Sequence, residues 1–264
     1  MKKTAIAILL LYLLVCFVGC SAKEKSESNT PAADSSISTQ EQPQSNMEEN
    51  SVQTKPVSEP YTKNTRIADV INDSAFGDYG RLIFPVNNGY YSGDTLGDLS
   101  LTWYSHIDAD KTVEIANYFK SHAEAGDIIF YDIYTEAEKA ADPAKADTGL
   151  FFFKGNPGER FAICNAGGGF AYVGAMHDSF PHALELSKKG YNAFALIYRP
   201  GWDTAVEDLA RAIGFIFEHA EELEVDTDCY SLWGGSAGGR MTAYLGSYGP
   251  AAFGGDDLPR PGTA

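Results

Sequence analysis

The feature that most restricts this chain is Gly234-Gly235-Ser236-Ala237-Gly238-Gly239, set between an apolar stretch at 229–233 and a helix-patterned stretch at 237–245. A strand must turn into a helix there within a few residues. Glycines on both sides let backbones approach where any side chain would collide. The reading upstream agrees. Residues 127–134 and 150–154 are strand-like, and 161–164 form a short strand that runs into a glycine-rich loop. A helix follows over 179–189, with Pro181 in its first turn, Lys188 and Lys189 in its last and Gly190 as its cap. The near-continuous apolar run 191–198 suits a strand buried on both faces. Thr204 and Glu207 have capping-box spacing and are expected to open a helix, in which Val206, Leu209, Ala210, Ile213, Phe217 and Ala220 recur at helical intervals. Residues 229–233 read as another buried strand. Strands alternating with helices in this way specify an α/β architecture: a mostly parallel sheet with helices on both faces.

The remainder divides by composition. Residues 1–20 have a basic start (Lys2, Lys3) and an apolar run over 5–18 that is short for a bilayer span. They end in Phe17-Val18-Gly19-Cys20, which resembles the bacterial lipobox and predicts lipidation of Cys20. Several acyl chains hold a protein to a membrane where one alone binds marginally. The expected location is therefore extracytoplasmic, as a membrane-anchored lipoprotein. Residues 21–60 are Ser, Glu, Lys, Gln, Asn and Pro without one aromatic, a composition read as a disordered tether. Residues 61–125 form an N-terminal extension or accessory region, with strands expected at 81–85 and 99–104 and a helix at 110–125 stopped by Gly126. The partial catalytic-type domain spans 126–264. A formal charge of -16 argues against nucleic acid as a partner. No cysteine–histidine spacing suggests a metal, and no cofactor motif is present. Cys164 and Cys229 fall on neighbouring parallel strands with an offset too long for a disulfide, so both are expected as buried thiols.

The chemistry rests on two glycine motifs. Gly234-Gly235-Ser236-Ala237-Gly238 fits the G-x-S-x-G turn that lifts a nucleophilic serine above a sheet. It requires a strained backbone at the serine, and the following helix N-terminus favours developing negative charge. Its partner is Asn165-Ala166-Gly167-Gly168-Gly169-Phe170, placed just after a strand. Acyl transfer puts charge on a carbonyl oxygen, which closely approaching backbone N–H groups must stabilise. Neither a dinucleotide loop nor a phosphate loop fits: Gly167-Gly168-Gly169-Phe170-Ala171-Tyr172 lacks the last glycine of the first, and the Gly-Lys-Ser/Thr of the second is missing.

With Gly190-Tyr191-Asn192-Ala193, Tyr198-Arg199-Pro200, the 208–213 helix segment and Val225-Asp226, these motifs resemble the carboxylesterase and acetyl-xylan-esterase-like, hormone-sensitive-lipase-type branch of the α/β-hydrolases. The likeness spans about 151–254. It implies Ser236 as nucleophile, N–H groups of Gly168, Gly169 and Ala237 as the oxyanion hole, and small acyl esters such as acetylated carbohydrate as substrates. Ala166 stands where many relatives carry histidine. In this fold the acid and the histidine base follow the serine, yet all five histidines (106, 122, 177, 182, 219) precede it. The chain is accordingly read as missing the last strands of the fold, with acid and base expected beyond residue 264. The competing explanation is a base from outside the family pattern, His177 or His182, although both flank a helix start and read as capping or solvent-facing residues. Asp256 and Asp257 read as loop acids. A peptidase of this fold would need a large extra domain, for which 61–125 is too short. A non-catalytic lipoprotein that keeps the fold as a binding module is the alternative.

Overall fold

A computed structural model describes residues 59–104 and 106–262. The lipobox with Cys20 and all but the last two residues of the tether over 21–60 lie outside the described residues. Among those described, no helix is long and apolar enough to cross a membrane, and no group of three or more His, Cys, Asp or Glu side chains could hold a metal ion.

The described elements are the short helix α1 (Ile67–Ile71), strands β1 (Tyr91–Ser92) and β2 (Ser100–Leu101), helix α2 (Ala109–Ala125), strand β3 (Phe130–Tyr131), helix α3 (Glu136–Ala141), strands β4 (Gly149–Phe153) and β5 (Glu159–Asn165), helix α4 (Ser179–Lys188), strand β6 (Asn192–Ile197), helix α5 (Trp202–Glu218), strand β7 (Val225–Gly234) and helix α6 (Ser236–Tyr248). The main sheet runs β3-β4-β6-β5-β7. Its β5 strand pairs parallel with both β6 and β7, while β4 pairs antiparallel with β3 and β6. The sheet is thus mixed, parallel on the side that carries the glycine motifs.

Burial explains the strand order. Every residue of β4 and β6 is buried, and successive side chains on a strand point to opposite faces. Phe151 and Phe153 meet Phe119 of α2 and Phe180 of α4 on one face. Phe152 stacks on Phe194, which meets Phe161, which meets Phe217 of α5 on the other. Each such ring contributes about 1.5–3 kcal/mol through burial, so both faces must be covered by helices. Ile67, Val70, Phe76, Leu82, Ile83 and Phe84 join the same core; the 61–125 region is built into it.

Several expectations are corrected. Residues 81–85 form no strand; Gly77–Leu82 is a 3-10 helix. The strand expected at 99–104 shrinks to Ser100–Leu101, and that at 127–134 to Phe130–Tyr131. Thr204 caps nothing: α5 starts at Trp202, and the Thr204 hydroxyl donates to the Pro200 carbonyl at 2.8 Å. The capping box belongs to Thr135 and Glu138 of α3, a helix not anticipated. The β7 strand is the last of the described sheet and is half exposed, with Trp233 44% accessible, because it pairs with β5 alone. Cys164 lies opposite Trp233 in the register, so no disulfide joins it to Cys229; Cys164 is buried, Cys229 only partly so.

One buried network fastens the end of β6 to α5. The Arg199 guanidinium donates to Asp208 at 2.7 and 3.0 Å, and the Arg199 N–H donates to the same carboxylate at 2.6 Å. Tyr134 donates to Asp208 at 2.7 Å, and Asp142 accepts from Arg199 at 2.7 Å. Asp208 is fully buried and Arg199 4% exposed.

Candidate active site

The β7 strand ends at Gly234 and α6 begins at Ser236, leaving Gly235 alone between them. Ser236 has φ 48°, in the left-handed region that side chains rarely adopt, and it is exposed. The local sequence forces this geometry. A Cβ on Gly238 would collide with the Asn165 carbonyl oxygen, and one on Gly234 would lie 2.5 Å from the Gly238 carbonyl carbon. The helix therefore sits directly against the end of β5. Asn165 joins the pieces, donating through Nδ2 to the Trp233 carbonyl at 3.1 Å and the Thr242 hydroxyl at 3.3 Å.

The loop after β5 passes the serine closely. A Cβ on Gly167 would be 3.1 Å from that of Ser236. Gly168, Gly169 and Phe170 all have positive φ, at 138°, 64° and 59°. The loop is closed by bonds from Ala171 N–H to Gly168 O and from Gly174 N–H to Gly167 O, at 3.0 and 2.9 Å. Tyr198 anchors its base by donating to the Ala166 carbonyl at 2.7 Å. The Gly167 N–H is already taken by Asp178 Oδ2 at 2.7 Å. Among the described residues, the N–H groups of Gly168 and Gly169 meet no acceptor. Ala237 is buried in the first turn of α6, where N–H groups have no partner within the helix. Ser236, the Gly167–Gly169 loop and the start of α6 are thus brought together.

Three further residues belong to this place, and sequence reasoning did not single them out as site residues. Asp178 sits where α4 begins, yet its side chain does not cap that helix. Tyr104 places its hydroxyl 2.5 Å from the position a Gly167 Cβ would take. Burial, with Asp178 nearby, raises the Tyr104 phenol. The Trp103 indole covers Gly169, with a ring carbon 3.0 Å from a Cβ position there. It forms an aromatic cluster with Tyr90 and Tyr172, and the Tyr172 hydroxyl donates to the Thr102 carbonyl. Trp103 is 67% exposed with φ 73°. Only an acid just ahead of a helix and after a glycine loop could have pointed to Asp178. Nothing local points to residues 103 and 104, which reach the site from a distant part of the chain.

The two histidines weighed as bases separate. His182 faces solvent, with Nδ1 2.7 Å from the Asp178 carbonyl. His177 is held under the Tyr104 ring, centroids 3.5 Å apart, and its Nδ1 has no hydrogen-bond partner. Burial lowers its pKa, against the opposing pull of Asp178 and of the Gly174 backbone. Asp256 lies in the turn after α6, its carboxylate beside Gly214 of α5.

Residues 157–254 match the family model described as BD-FAE. A search of curated proteins finds no match. Among solved structures, an acetyl ester-xyloside bifunctional hydrolase from Caldicellulosiruptor lactoaceticus is similar, with 23% identity over 45% of this chain and 46% of that one and a TM-score of 0.41. An esterase from the Planctomycetes species Thermogutta terrifontis has 26% identity over 43% of this chain and 42% of its own, with a TM-score of 0.38. The chain spans less than half the length of these structures. The stretch from 157 to 254, which holds both glycine motifs, is the part of the chain that is similar to the BD-FAE family model.

Proposed function

We propose that the protein is a serine-dependent carboxylic-ester hydrolase, held outside the cytoplasm by lipidation of Cys20. The observation that carries this reading is Ser236 in a left-handed backbone, facing a loop with two unclaimed N–H donors. The Ser236 hydroxyl attacks the acyl carbonyl, and the N–H groups of Gly168, Gly169 and Ala237 receive the charge that develops on the carbonyl oxygen. The alcohol leaves with a proton, and water then releases the acid from the acyl-serine. A serine hydroxyl needs an adjacent base for this step. Small acyl esters are the proposed substrates, acetyl groups on carbohydrate among them. The exposed Trp103 indole over Gly169 supports that choice, because it offers an apolar ring face beside the loop on which a sugar ring can lie.

The test is covalent labelling of the complete gene product with a fluorophosphonate probe. Wild type should label and hydrolyse aryl acetates, and Ser236→Ala should do neither. A wild type that fails to label leaves the binding-module reading standing instead. Radiolabelled palmitate, incorporated in wild type but not in Cys20→Ser, tests the anchor.

A further inference from the structure

We infer that Asp178 is a positioning residue for this site: its carboxylate is the strut that sets the glycine loop at a fixed distance from the serine turn. The inference rests on the hydrolase reading above. Asp178 occupies the residue before α4, where aspartate ordinarily accepts from the helix's own first-turn N–H groups. Here it makes no such bond, and its backbone (φ −121°, ψ −80°) turns the side chain away from the helix. The carboxylate points into the joint between the two motifs. Oδ2 accepts from the Gly167 N–H at 2.7 Å, and the same oxygen is 2.9 Å from where a Gly235 Cβ would sit. Gly235 immediately precedes the serine. Its lack of a side chain is what admits the carboxylate, and Gly167 likewise has a Cβ position only 3.2 Å from Oδ2. One partly buried acid therefore touches both halves of the site.

Two consequences follow. Occupying the Gly167 N–H leaves Gly168 and Gly169 as the loop's available donors, which orients the loop with those two N–H groups outward. The strut also acts as an acceptor and not through its charge, since a negative carboxylate beside a developing oxyanion opposes that charge. No Lys or Arg ion pair neutralises Asp178 among the described residues; its ion-pair partner is His182, with Nδ1 3.7 Å from Oδ1. An uncharged acceptor of the same shape should therefore serve.

The experiment compares wild type, Asp178→Asn and Asp178→Ala in the complete protein. Displacing oxyanion donors by a fraction of an ångström to one ångström costs on the order of 10–100-fold in rate. Asp178→Ala should lose about that much in kcat with KM within about threefold, while Asp178→Asn stays within about fivefold of wild type. Independently of turnover, the Gly167 amide should exchange its hydrogen slowly in wild type and Asp178→Asn but fast in Asp178→Ala. An Asn variant as impaired as the Ala variant overturns the strut, as does a Gly167 amide indifferent to both changes. If the amide responds as stated but wild type neither labels nor turns over, it is the hydrolase reading that has failed, and the positioning role falls with it.

Discussion

Replacing Ser236 with glycine should make the protein more stable than replacing it with alanine, and the size of the gain follows from one angle. Ser236 holds φ 48°, a conformation that costs an L residue about 1–2 kcal/mol relative to a right-handed one. Alanine at this position keeps the Cβ and therefore the strain; glycine removes it. Glycine loses more backbone freedom on folding, which offsets about 0.5–1 kcal/mol. The serine side chain is exposed, so truncating it sacrifices little burial. The net expectation is that Ser236→Gly exceeds Ser236→Ala by about 0.5–1 kcal/mol. For a domain of this size that is about 1–4 °C in thermal midpoint. Both variants lack the hydroxyl, so the comparison isolates backbone strain from its loss. Urea unfolding followed by far-ultraviolet circular dichroism measures the difference, provided the two slopes agree. A glycine variant equal to or weaker than the alanine variant would falsify the claim that the serine's backbone is strained, and with it the main physical support for its role.

Three other outcomes can be checked. Asp208→Asn leaves the Arg199 guanidinium buried with only half-exposed carboxylates to face and should lower unfolding free energy by about 3 kcal/mol; Asp142→Asn, at the solvent-facing end of the network, should cost under about 1 kcal/mol. His177 has a folded pKa below its ordinary 6.5 because it is buried, so its contribution is complete above that value and is lost as pH falls below it. Urea midpoints at pH 5 and 7.5 should therefore converge more in His177→Phe than in wild type, and an unchanged gap between the two pH values refutes the assignment. Trp103→Ala should raise KM for acetylated sugars by about 2–10-fold, the worth of one aromatic contact, while turnover of methyl acetate is unaffected; equal losses on both substrates would remove the sugar-stacking role.

The legible parts of this molecule were those written in local chemistry. The 109–125 helix shows a helical period and a glycine stop, and it folds with Asp108 capping its start and Gly126 left-handed at its end. Both fully buried strands announced themselves as apolar runs, and the serine turn by its glycines. What escaped was non-local. The antiparallel pairing of β4 with β6 cannot be read from an apolar run, because a strand buried on both faces has the same composition whichever way its neighbour points. Thr204 and Glu207 have the spacing of a capping box, but Gly201, three residues ahead of Thr204, takes the cap position and the helix starts at Trp202, so tertiary packing overrode a weak local preference. Trp103 and Tyr104 reach the site from more than sixty positions away in the sequence, the separation spanned by the bond between Tyr172 and Thr102, and no spacing rule reports such a meeting.

The distribution of strain argues for one functional place independently of any motif. Among the described residues, four that are not glycine have positive φ: Trp103, Phe170, Glu224 and Ser236. Scattered at random they would say little. Phe170 continues the glycine loop, Ser236 lies against that loop, and Trp103 covers Gly169, so three of the four share one small region while Glu224 sits in the turn that enters β7. Each costs on the order of 1–3 kcal/mol and persists only where its surroundings leave no alternative. The helix beginning at Ser179 adds a fourth local sacrifice there, since Asp178 turns its carboxylate to the loop and not to its own helix. A fold selected for stability alone has no reason to place these departures side by side. The buried β4–β6–β5 core supplies the stability that permits them, and the backbone N–H groups left without partners beside Ser236 are what the arrangement gains.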